Sequence, residues 1–108
     1  MANRGPSSIR RWRKQIDALD TQLIGILNER ARCAIEIGRI KRQQKLEIYD
    51  PPREEEIIRM MLEQNRGPLD DVGVRRLFER IIDESRRIER LTAERESRQI
   101  NLRMTNDE

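Results

Sequence analysis

Four polar residues stand in this sequence where a helical pattern calls for apolar ones. Ile9, Trp12, Ile16, Leu19, Leu23 and Ile26 recur at alternating three- and four-residue steps, which marks one face of an α-helix. Continued, that stripe reaches Arg30, Cys33, Ile37 and Lys41. Lys41 returns to within about 20° of Arg30 on a helix of 3.6 residues per turn. A later stripe behaves alike: Val74, Phe78 and Ile81 or Ile82 lead to Ser85 and Glu89. Two cations, a hydroxyl and a carboxyl thus aim inward. Burying unpaired charge costs several kcal/mol, so these groups must pair with each other or with a ligand. An internal Arg30–Glu89 ion pair that fixes helix register is one outcome. Lys41 can also run its stem along the surface to water, and Ser85 can bond a carbonyl one turn back.

The stretch "IYDPPREEEI", residues 48–57, holds a second group. The residue before a proline avoids the α region, so the chain breaks here, and Asp50 can cap a new helix with Pro51 at its first position. Glu54, Glu55 and Glu56 favour the positive end of that helix. Arg53 is a cation at the same positive end, which capping leaves unexplained. Arg13, within "RRWRK", lies about 25 Å along the helix from Arg30 and about 42 Å from Lys41. It cannot join their site within one unbroken chain, but it can reach a second copy's site in an antiparallel pair. On its own it also fits a solvated basic face.

The chain has no histidine and one cysteine. The commonest general base and the usual zinc sites are therefore missing, and no metal or cofactor is expected. Catalysis would rest on Arg, Lys, Asp, Glu and Ser, and a reaction needing no proton shuttle suits that set. Cys33 cannot form an intrachain disulfide, no 18-residue apolar run exists, and the N-terminus shows no signal-like apolar region. The expectation is a cytoplasmic chain with no membrane span. Lys and Arg number 23 against 20 Asp and Glu, a net +3, too balanced to demand nucleic acid as a partner.

Three helices are expected, all-α: about 8–45, then 51–64, then one carrying Val74 to Leu91 after the turn "NRGPLDD". Ser7 or Ser8 would cap the first, Gly67 is a C-cap candidate, and Asp70 or Asp71 would cap the third. The domain reading is a disordered lead-in over 1–7, a helical domain over 8–95 and a fraying charged tail over 96–108. A 38-residue helix is about 57 Å long, whereas a compact chain of this size has a radius of gyration of about 13 Å. With 35% hydrophobic and 40% charged residues, a self-sufficient core is doubtful. An intertwined homodimeric helical bundle resolves both points, with a coiled-coil rod as the plainer alternative.

Three segments together resemble the all-α class of chorismate mutase: "RKQIDALDTQLIGILNERARCAIEIGRIK", "YDPPREEEI" and "RRLFERIIDESRRIE". They cover about residues 9–92 in the family's order and spacing. The wording "YDPPREEE…NRGPLDD" further resembles the subgroup fused ahead of a deoxy-heptulosonate-phosphate synthase, which implies a possible synthase partner or fusion. The resemblance implies conversion of chorismate to prephenate in a dimer with two sites. It assigns Arg13, from the partner chain, and Arg30 to the substrate carboxylates, and Lys41 to a carboxylate and the ether oxygen. It places Asp50, Arg53, Glu54 and Ser85 around the pocket, with Glu54 taking the substrate hydroxyl. Glu89 replaces the glutamine of many members, so it would have to be protonated, its pKa raised by burial, to donate to the ether oxygen. Catalysis would then rest on Lys41, Glu89 and Arg30. The reaction is pericyclic and intramolecular. Restraint of the reactive conformer and stabilisation of charge on the breaking C–O bond suffice, with no nucleophile, metal or base.

Rival readings remain. An isochorismate-pyruvate lyase shares the fold and a similar ligand. A regulatory module would bind chorismate or prephenate with poor turnover. A basic helical interaction protein would bind nucleic acid with steep salt dependence.

Overall fold

The computed structural model describes residues 5–106. Three helices follow one another: α1 (Pro6–Gln43), α2 (Pro51–Gln64) and α3 (Asp71–Asn106). Among the described residues there is no strand. The expected all-α class is what the chain adopts, and each helix end has a local cause.

α1 starts earlier than residue 8. Pro6 sits at its start, where a fixed φ and a missing N–H cost nothing. The Gly5 carbonyl accepts from the N–H groups of Ser8 and Ile9 at 2.9 and 3.3 Å, so Ser7 and Ser8 lie inside the helix and do not cap it. Residues 1–4 of the expected lead-in lie outside the described residues. At the other end, Leu46 N–H donates to the Lys41 carbonyl at 2.7 Å and Lys45 N–H to that of Arg42 at 3.2 Å. These are the paired bonds of a Schellman stop. Lys45 takes the left-handed position, φ 58°, where glycine would be unstrained.

Asp50 caps α2 as anticipated: its carboxylate accepts the Arg53 N–H at 3.2 Å, and prolines occupy the first two helical positions. Asn65, not Gly67, is the C-cap of α2. Gly67 lies two residues on at φ 77°, with its N–H on the Asn65 side-chain oxygen at 3.1 Å. That conformation favours glycine. Asp70 caps α3 by accepting the Gly73 N–H at 2.8 Å.

α3 continues past residue 95, where a fraying tail was expected, as far as Asn106. No glycine or proline follows Gly73, and Glu, Arg, Gln, Leu and Met, all good helix formers, dominate the extension. Loss of an apolar stripe removes packing but does not break a helix. Residues 107 and 108 lie outside the described residues.

The chain divides into two units, Met1–Arg32 and Cys33–Glu108. The described part of the first is a single helical stretch. Its apolar stripe is open: Ile9, Trp12, Ile16, Leu19, Leu23 and Ile26 are each 50–64% exposed. The second unit holds the end of α1 with α2 and α3, and α2 packs on α3. Its buried apolar residues are Ala34, Ile58, Val74 and Ile82.

The end of α1 is tied to α3 by ions as well as packing. Glu96 accepts from Arg39 Nε at 2.7 Å and from Arg42 Nη2 at 2.7 Å, and Arg39 also pairs with Glu36. The hydrogen bond from Arg39 is the main cause that holds the Glu96 carboxyl below its ordinary range, against a smaller opposing effect of desolvation. A depressed folded-state pKa contributes stability that is full above the ordinary glutamate value of about 4.3. It is lost as pH falls through the lower folded value. The melting-temperature gap between wild type and Glu96→Gln should therefore close as pH drops from about 7 to about 3. A gap independent of pH would contradict the pairing.

Candidate functional site

The inward face of α1 in the second unit is set by small residues. Ala34 and Gly38, four apart, are buried, whereas Cys33 is exposed and Ile37 is 51% exposed. The stripe expected through Cys33 and Ile37 is thus rotated by one residue, about 100°. The reason lies at Gly38. A Cβ there would stand 3.3 Å from Glu89 Cγ and 3.5 Å from Glu89 Cβ. The two helices approach closely enough that any side chain at this position would press on Glu89 by a few tenths of an ångström, so the contact favours glycine. Sequence periodicity, which counts large apolar residues, passes over such a contact; the signal was the Ala34–Gly38 spacing.

Glu89 is the one charged residue that is buried among the described residues, at 8% exposure. Ser85 lies one turn before it on the same face of α3, half-buried, with its hydroxyl donating to the Ile81 carbonyl at 3.0 Å. Lys41 lies three residues beyond Gly38 on α1, between Arg39 and Arg42, which both reach Glu96 of α3. The Lys41 Nζ donates to the Ile48 carbonyl at 3.3 Å. The lysine therefore closes the loop onto α1 and does not run out to water.

The turn before α2 divides its residues between two jobs. Asp50 is taken up by capping. Arg53 points away, 55% exposed, and pairs with Glu56 at 2.5 Å. That contact on its own helix accounts for a cation at the positive end. Glu54 turns the other way: its side chain is only 23% exposed, and its carboxylate lies 3.1 Å from Arg86 Nε on α3. The Arg86 guanidinium also faces the Tyr49 ring, 5.0 Å from its centroid. Arg86 escaped sequence reasoning because it sits off the apolar stripe, beside Ser85 in "ESRR".

Arg13 and Arg30 belong to the first unit. Arg13 is exposed on that stretch, and Arg30 is half-buried near its end. In the second unit, then, Gly38 of α1 meets Glu89 of α3, Ser85 lies one turn before Glu89, Lys41 reaches the loop before α2, and Glu54 is held against α3.

Residues 12–90 match the family described as chorismate mutase type II. The chain belongs to this family. All eight residues singled out from the sequence, Arg13 to Glu89, fall inside the matched span. Among relatives, the bifunctional chorismate mutase/prephenate dehydratase of Pseudomonas aeruginosa is 40% identical over 75 residues, 65% of this chain and 20% of that protein. The corresponding protein of Neisseria gonorrhoeae is 38% identical over 78 residues, 72% of this chain and 21% of that protein. The chain thus spans about a fifth of the length of these relatives.

Solved chorismate mutases share the fold more fully. Form II of the Thermus thermophilus enzyme superposes with a TM-score of 0.76 at 36% identity, covering 77% of this chain and 94% of that one. The Helicobacter pylori chorismate mutase in complex with prephenate gives 0.76 at 28% identity, covering 82% and 96%. The bifunctional relatives carry a prephenate dehydratase, where the wording of the turns had suggested a synthase. In this chain the two turn segments are accounted for by capping: Asp50 caps α2 and Asp70 caps α3.

The Gly38–Glu89 contact in this chorismate mutase domain can be tested directly. Gly38→Val should lower stability by about 1–3 kcal/mol through overpacking against Glu89, read as a lower urea midpoint at unchanged slope. A wild-type midpoint would show that the helices have room to part.

Proposed function

We propose that this chain catalyses the Claisen rearrangement of chorismate to prephenate, as an intertwined homodimer in the cytoplasm. The observation that carries the reading is the buried Glu89 carboxyl, seated on Gly38 with Lys41 one turn above. A buried acid must be satisfied by its own chain or by a ligand, and the likeness to a chorismate mutase in complex with prephenate favours a ligand. Among the described residues no helix is long and apolar enough to cross a membrane, which is compatible with that setting.

Each residue then has a chemical task. Arg30, with Arg13 from the second chain, takes the two substrate carboxylates through forked hydrogen bonds. These contacts hold the substrate in its folded, reactive conformer, which removes most of the entropic barrier of an intramolecular reaction. Lys41 contacts a carboxylate and the ether oxygen. Glu89, carrying its proton, donates to the same oxygen. Charge grows on that oxygen as the C–O bond breaks, so both contacts strengthen in the transition state and raise turnover. Glu54 accepts the substrate hydroxyl, Ser85 lines the pocket, Asp50 fixes the start of α2 beside it, and Arg53 joins the frame by giving up its contact with Glu56.

The dimer is supported by the open apolar stripe of residues 9–26, which a second copy would cover. The prephenate dehydratase carried by the bifunctional relatives supports a product-consuming partner, and the synthase suggested by the turns is the alternative.

The test follows chorismate loss and identifies the product from pH 5 to 8. Prephenate should form, and Arg30→Ala should lower kcat/KM about 100-fold or more, the scale of removing one partner of a desolvated charge contact. Turnover should fall as pH rises and Glu89 loses its proton, and Glu89→Gln should flatten the profile. Pyruvate release would instead indicate the lyase. Tight prephenate binding without turnover would indicate a sensing module.

A further inference from the structure

Arg86 has no task in the site just described, yet its guanidinium stands against Glu54, one of the site's residues. Its Nε is buried and stands 3.1 Å from Glu54 Oε2, but no acceptor lies in line with the N–H. Its Nη2 donates to Asp83 Oδ1 at 2.6 Å, and its plane faces the Tyr49 ring. One guanidinium therefore touches the loop before α2, the first turn of α2, and α3. The contacts differ in kind: a carboxylate at the side, a carboxylate at the tip and an aromatic face. Arginine can meet all three because its planar fork and its π surface act at once, which a lysine cannot do.

We propose that Arg86 is a positioning residue of the chorismate site: anchored by Asp83, it fixes the Glu54 carboxylate and the Tyr49 ring against α3. This rests on the mutase reading above. A carboxylate offers about four acceptor directions. Arg86 occupies the Oε2 side and leaves Oε1 to accept a substrate hydroxyl. Contacts of this type are often poorly aligned without ligand and tighten in the complex. The buried, unaligned Nε–H fits that description. It gains a full hydrogen bond when Glu54 turns to meet the hydroxyl. The hydroxyl is bound alike in ground and transition states, so loss of Arg86 should weaken binding more than it slows the reaction.

The test combines kinetics with a reporter independent of activity. Arg86→Met should raise KM about tenfold, the scale of one charge-assisted hydrogen bond, with kcat within about twofold. In a Glu54→Gln background the same substitution should add less than about twofold, because the two residues act as a unit. Arg86→Lys, a milder change that keeps the charge, should recover only part of KM. Full additivity in the double variant, or a fall in kcat with KM unchanged, would overturn the proposal.

The chain contains a single tyrosine, so ring-labelled tyrosine gives one NMR signal, from Tyr49. That signal should shift in both Arg86→Met and Arg86→Lys, and an unmoved signal would also overturn the proposal. Were the wild type to leave chorismate unconverted, the mutase reading would fail by itself, and the tyrosine signal would still decide whether Arg86 holds this segment.

Discussion

The apolar stripe of α1 needs a covering surface that its own unit does not contain. Ile9 to Ile26 form a full helical face along a stretch that the first unit leaves as a lone helix, and every one of those residues is half exposed or more. Isolated helices gain little from propensity alone and depend on burial of such a face. A helix that takes its cover from a second chain can also lend that chain a residue, and Arg13 lies on this stretch. Under the proposed function, assembly and catalysis are one requirement, met by one helix.

In the second unit the same economy appears at a smaller scale. Gly38 removes a side chain so that Glu89 can enter, and the ions of Arg39, Arg42 and Glu96 hold the end of α1 at that separation. Lys41 lies between those anchors. A reaction that needs no proton shuttle gains most from groups that are already in place when charge develops, and such groups cost no reorganisation at the moment of reaction. Rigid helices with a few polar residues on their packed faces supply this directly.

Much of this was legible in the sequence. The proline pair and Asp50 spelled the start of α2, and the three- and four-residue rhythm gave α1 its length. Polar residues inside apolar stripes singled out Arg30, Lys41, Ser85 and Glu89, of which Glu89 is buried and the others half-buried. The failures share a cause. Periodicity registers large apolar side chains, so it placed Cys33 and Ile37 inward and missed Ala34 and Gly38, whose importance lies in what they lack. It ended α3 near residue 95, although helix formers and the Glu96 ion pairs carry the helix to Asn106. It was silent on Arg86, whose partners Tyr49 and Glu54 are more than 30 residues away and meet it only after α2 has turned back onto α3. Which acid of "REEE" turns inward is likewise decided by that cation, not by local pattern.

The central claim, that each site is completed by a residue from a second chain, is tested most directly by mixing two inactive variants. Arg13→Ala and Arg30→Ala, combined in equal amounts after unfolding and refolding, should form hybrid dimers in which one site keeps both arginines. Random assortment makes half the dimers hybrid, each with one working site, so chorismate mutase activity should return to about one quarter of wild type. A mixture as inactive as its two components, in a preparation shown to contain the hybrid, would contradict the shared site.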